Sequence, residues 1–133
     1  INNLSELLKK NSIKNIHLPV SAPFHCHLMK KSTEIMTKHI NDTDFRTPIP
    51  KIISNVTADE TNDVNEIKQL LIKQIESKVR WRESVEYMIR KNIKEFIEIG
   101  PGKVLTGLVK RISKNVKVFN INSISDITNY INR

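Results

Sequence analysis

Residues 95–119 constrain the fold most. Glu95 to Ile99 reads as a compact strand, Gly100-Pro101-Gly102 as a turn, Lys103 to Ile112 as a helix, and Val116 to Phe119 as a last strand. Strands that alternate with helices argue an α/β architecture with at least some parallel pairing.

The rest of the chain carries the same alternation less sharply. Leu4, Leu7 and Leu8 form a short helical stripe, and Ile13 to Val20 alternates apolar and polar positions as a strand does. From His27 to Ile40 the apolar residues Leu28, Ile35, Met36 and Ile40 recur at helical spacing. Thr47-Pro48-Ile49-Pro50 is excluded from a helix, because each proline disfavours the α region for the residue before it. Lys51 to Val56 reads as a short buried strand. Asp63 is placed as an N-cap, with Glu66 three residues on, for a helix through Ile67, Leu70, Leu71 and Ile75. A second helix follows from about Trp81 with Val85, Met88 and Ile89 inward, and a last one spans Ser123 to Ile131. The strands are few and short for a sheet covered on both faces. The first helix has nothing before it to pack against. The expectation is the C-terminal part of something larger.

Several function classes recede on composition. No run approaches the roughly 18 apolar residues of a membrane span, and the first ten residues lack the plan of a signal peptide. A single cysteine, Cys26, allows no internal disulfide and fits a cytoplasmic location. The net charge of +8 invites a nucleic-acid reading. Its lysines, however, are scattered from Lys9 to Lys117 in a chain that also favours Ile and Asn, with no basic helix face. Such a surface suits a phosphorylated cofactor or an acidic partner equally well.

The segment Leu18 to Met29, L-P-V-S-A-P-F-H-C-H-L-M, places His25 where an extended run gives way to a helix. A histidine held there by rigid elements and facing a cleft is a candidate general base. No obvious nucleophile follows it downstream. His25, Cys26 and His27 also suggest a metal, but adjacent residues at a helix start point in different directions, and His17 and His39 are isolated. Cys26 is a weaker nucleophile candidate, since immediate neighbours seldom meet the geometry of a Cys–His pair. Its plain reading is a small, mostly buried side chain. Gly100-Pro101-Gly102-Lys103 resembles a phosphate-binding turn but matches neither G-x-G-x-x-G nor G-x-x-x-x-G-K-[ST]. Trp81 reads as a core aromatic. Asp63, Glu66, Glu83 and Glu86 read as a solvated face, and no acidic residue stands out as a partner for His25.

Taken together, A-P-F-H-C-H-L-M, I-S-N-V-T-A, Q-I-E-S-K-V-R-W-R-E-S-V and E-I-G-P-G-K-V-L-T-G-L resemble, in this order and spacing, the malonyl-CoA:acyl carrier protein transacylases and related acyltransferase domains. The resemblance runs from about Leu18 to Ile112. It implies an α/β-hydrolase-like large subdomain with a ferredoxin-like insert. Residues 1–19 are then the last helix and strand of the insert, and residues 20–133 the C-terminal part of the large subdomain. It implies ping-pong transfer of malonyl from malonyl-CoA to the phosphopantetheine thiol of acyl carrier protein, with no metal and no cofactor. His25 takes the position of the catalytic base, and Gln74 the position whose main-chain carbonyl orients it. By that account Gln74→Ala changes little. Asn55, at the end of a strand, is the candidate substrate-binding residue. Cys26 often corresponds to serine in the family, and His27 lies outside its pattern.

The family's G-H-S-x-G nucleophile elbow, its malonyl-gripping arginine and its oxyanion-hole glutamine loop are not found in this chain. The expected partners are therefore acyl carrier protein, malonyl-CoA and a missing N-terminal part of the same enzyme, without which the chain is inactive. Two alternatives stay open: a non-catalytic module that binds acyl carrier protein, and a non-functional product of a split gene.

Overall fold

A computed structural model of the protein describes residues 1–16, 20 and 22–133. Along the chain the elements are α1 (Asn2–Lys10), a 3₁₀ turn (His27–Met29), α2 (Lys30–Asp42), β1 (Ile52–Ile53), β2 (Glu60–Thr61), α3 (Val64–Gln74), α4 (Trp81–Arg90), β3 (Glu95–Ile99), α5 (Val104–Ile112), β4 (Lys117–Ile121) and α6 (Ile124–Ile131). The architecture is a mixture of helix and strand. Its ordering unit is the pair β3 and β4, which run parallel with Glu95 opposite Lys117 and Ile99 opposite Ile121. A parallel pair needs a crossover, and α5 supplies it.

Side chains from both faces of this pair fix the surrounding helices. Glu98 accepts the Leu105 and Thr106 backbone N–H groups at 3.1 and 2.7 Å. It thereby satisfies donors that a helix start leaves without intrahelical partners. The Gly100-Pro101-Gly102 turn is held by the Gly100 N–H on Ile121 O at 3.0 Å and by Asn120 Nδ2 on Gly102 O at 2.7 Å. Gly100 and Gly102 have φ of +131° and +94°, a region open to glycine and strained for other residues. With a carboxylate already on the first turn of α5, this loop carries the turn chemistry of a strand–helix junction.

On the other face, α6 starts at Ser123 with a capping box to Asp126. It returns Tyr130 and Arg133 to the start of β3, where both bond the Glu95 carboxylate. The Arg133 guanidinium lies 4.0 Å from the Phe119 ring centroid and 3.8 Å from that of Tyr130. The two rings meet edge to face at 5.3 Å. Beyond such contacts the core is thin. Val85 of α4 is fully buried, and Ala58, Ile67, Leu70 and Val109 nearly so. Phe24, Leu28, Ile35 and Ile99 remain exposed.

Three expectations change. Residues 13–16 form no strand, and His17, Leu18 and Pro19, the middle of the expected Ile13–Val20 strand, lie outside the described residues, as does Ser21. The strand expected over Lys51–Val56 shrinks to Ile52–Ile53, and Ile52 is exposed. It pairs antiparallel with β2, a two-residue strand too short to leave a periodic signature. The last strand shifts towards the C-terminus, to Lys117–Ile121. Among the described residues, no helix is long and apolar enough to cross a membrane.

Candidate active site

His25 stands in a turn with Phe24, just before the 3₁₀ turn that leads into α2. Its side chain is exposed, and its φ is +61°. An L-residue in the left-handed region costs roughly 1–3 kcal/mol, and such residues cluster at functional sites. Histidine, like Asn and Asp, enters this region several times more often than most residues do.

The ring is anchored from across the chain. Nδ1 lies 2.9 Å from the main-chain oxygen of Gln74, the last residue of α3. The availability of that oxygen follows from helix geometry, because the last four carbonyls of a helix have no intrahelical donor. Helix α3 reaches this point from a firm start, where the Asp63 side chain accepts the Glu66 N–H at 2.7 Å. Ile67 and Leu70 are buried along it, and it packs on α2. The element that follows His25 is thus seated against the element that holds its ring.

A carbonyl oxygen can only accept, so at this distance Nδ1 carries the proton. The neutral ring then has its lone pair on Nε2, which makes no hydrogen bond to any described residue. This is the tautomer a general base requires. The side chain of Gln74 is also close, with Nε2 at 3.4 Å from the same Nδ1. Gln74 thus approaches the ring with its side chain as well as its backbone, a contact for which the sequence holds no signal.

The neighbouring candidates are occupied elsewhere. Cys26 is half-buried and turns its thiol to the Pro23 carbonyl, with Sγ to O at 3.2 Å. Among the described residues no three His, Cys, Asp or Glu side chains gather closely enough to hold a metal ion. Asn55 is half-buried in the turn after β1, where its main-chain oxygen accepts the Arg80 N–H at 2.9 Å. Arg80 Nη1 reaches the Thr57 oxygen of the same turn at 2.8 Å. The turn is therefore fixed to the start of α4. Trp81, the first residue of α4, is half-buried and shares a small cleft with Phe96, Leu105 and Val109. Glu83 and Glu86 pair with Arg80 and Arg82 on the helix surface.

No family model matches the chain. Over 114 residues it is 44% identical to the malonyl CoA-acyl carrier protein transacylase of Bacillus subtilis strain 168, an alignment that takes in 85% of this chain and 36% of that one. The chain is homologous to the malonyl transacylases. A second relative of the same name, from Staphylococcus aureus strain COL, is 40% identical over 110 residues and again 36% covered. The acyl-carrier-protein S-malonyltransferase of Bartonella henselae has the same fold over 98% of this chain, with a TM-score of 0.87 and 33% identity. A malonyl-transacylase solved in complex with its type II polyketide acyl-carrier protein matches 99% of the chain, with a TM-score of 0.85 and 30% identity. The chain spans about a third of the length of the curated transacylases it matches, and 42–43% of these two solved chains.

Proposed function

We propose that this chain supplies the histidine base of a malonyl-CoA:acyl carrier protein transacylase working in fatty acid synthesis in the cytoplasm. The observation that carries the proposal is the anchoring of His25 Nδ1 on the Gln74 carbonyl, at a strained backbone position. The homology with transacylases supports it. In the proposed domain plan, residues 20–133 belong to the α/β-hydrolase-like subdomain and residues 1–19 to the end of a ferredoxin-like insert.

No G-H-S-x-G motif occurs in the 133 residues, so the nucleophilic serine comes from a polypeptide segment outside them. His25 Nε2 takes the serine proton as Oγ attacks the malonyl thioester. The imidazolium returns that proton to the departing CoA sulfur, leaving malonate as a serine ester. In the second half, Nε2 takes the proton of the phosphopantetheine thiol as its sulfur attacks the ester. The proton then passes to serine Oγ, and the enzyme is restored. Throughout, Nδ1–H stays on Gln74 O, and the carbonyl end of α3 faces the transient imidazolium. Asn55 lines the acyl pocket in this reading.

The test combines this chain with a polypeptide carrying the remaining portion of a transacylase, and follows malonyl transfer to holo acyl carrier protein. Transfer that requires the added polypeptide and is lost in His25→Asn is the expected result. Transfer that survives His25→Asn overturns the proposal. Salt-sensitive binding of acyl carrier protein without transfer, unchanged in His25→Asn, establishes a binding module instead.

A further inference from the structure

The two contacts of His25 Nδ1 make opposite demands. The Gln74 carbonyl, at 2.9 Å, needs a proton on Nδ1, whereas the Gln74 amide nitrogen, at 3.4 Å, needs a lone pair there. One ring nitrogen cannot meet both. The shorter contact decides, because a carbonyl oxygen facing a bare ring nitrogen brings two lone pairs together. An NH₂ group beside Nδ1–H then sets donor against donor. The oxygen and nitrogen of a side-chain amide occupy nearly the same space, and a half-turn about the last bond exchanges them. That turn puts Oε1 beside Nδ1–H as a second acceptor.

We propose that Gln74 orients His25 with two acceptors, its main-chain oxygen and its side-chain Oε1, which share the single Nδ1–H in a three-centre hydrogen bond. The inference rests on the reading of His25 as a base and assigns the Gln74 side chain a positioning role. It also revises the expectation that the backbone alone matters at residue 74. Gln74 is the last residue of α3 and half-buried, and its side-chain amide already lies 3.4 Å from the ring nitrogen. Two acceptors on one N–H narrow the arc over which the imidazole swings, and with it the arc over which Nε2 meets a nucleophile. Shared bonds of this kind are common at helix termini.

The tautomer of neutral His25 reports on the contact directly, by long-range ¹H–¹⁵N NMR on this chain. Four histidines contribute signals, and His25→Asn identifies the one of interest. The wild type is expected to hold mainly the Nδ1–H form. Gln74→Met keeps the length and helix preference of the side chain but removes the acceptor. It is expected to lower the ratio of Nδ1–H to Nε2–H roughly twofold, the low end of what one hydrogen bond contributes. Gln74→Glu, which offers only acceptors, raises the ratio. A ratio that is unchanged or higher in Gln74→Met overturns the proposal, since a donating amide predicts a rise. If Gln74→Met fails to fold, the absence of a rise in Gln74→Glu overturns it equally. Malonyl transfer is scored separately. Its absence alongside the expected tautomer shift removes the proposed function and leaves the contact standing. Transfer without the shift removes only this inference.

Discussion

The Nδ1 of His25 lies 2.9 Å from the main-chain oxygen of Gln74, a residue 49 positions further along the chain. That contact couples the end of α3 to the turn before α2, so changes at either place are expected to reach the other.

The backbone of residue 25 gives the first prediction. At φ +61° a β-carbon is strained and glycine is not. His25→Ala should unfold at lower urea than His25→Gly, by about 1 kcal/mol, although both lose the imidazole. Equal stabilities would show that the turn relaxes once the ring is gone.

The N-cap of α3 gives the second. Asp63→Ala removes the acceptor on the Glu66 N–H and should cost about 1 kcal/mol. Because α3 ends on the carbonyl that holds His25, the His25 resonances should broaden or shift in this variant. Urea unfolding and a histidine-edited spectrum check the two parts.

Val85, fully buried, reports on the thin core. Val85→Ala should cost about 2 kcal/mol, as other buried truncations do. Thr128→Ala, on exposed α6, removes only a hydroxyl bond to Ile124 O, and its urea midpoint should lie much nearer the wild-type value. A small effect at Val85 would mean that the helices around it close the space.

Glu95 gives a pH dependence. The Arg133 guanidinium first, and then the Tyr130 hydroxyl, hold its carboxyl below the usual range. A carboxyl depressed in the folded state binds fewer protons there than when unfolded. Its contribution is therefore complete above about pH 4.3, the ordinary glutamate value, and is lost as pH falls through the depressed folded value. Glu95→Gln should be less stable than the wild type at neutral pH and converge with it in acid. Parallel stability curves down to low pH would rule out this clasp as the source.

Residues 95–131 are legible in sequence because each element there is long enough to show a period and is bounded by its own signal. Gly100-Pro101-Gly102 separates β3 from α5, and Ser123 caps α6. The Asp63–Glu66 pair likewise announces α3. The β1–β2 pairing leaves no such trace, since two residues per strand carry no alternation and the partners meet through a turn. The site divides the same way. The junction position of His25 is readable from its neighbours, but its partner is a backbone atom 49 residues away, and any residue type has a carbonyl. Only the resemblance to a family points to Gln74. Neither route reaches its side-chain amide, which enters through the tertiary path of α3.

The left-handed turn at His25 also bears on how such a chain changes over generations. Among residues one base from a histidine codon, Asn and Asp keep the turn at little strain, whereas Leu, Pro and Tyr do not. A lineage that no longer uses the imidazole but still keeps the fold is therefore steered towards Asn or Asp at this position. A lineage that retains histidine there, with those neutral exits open, is under selection for the ring.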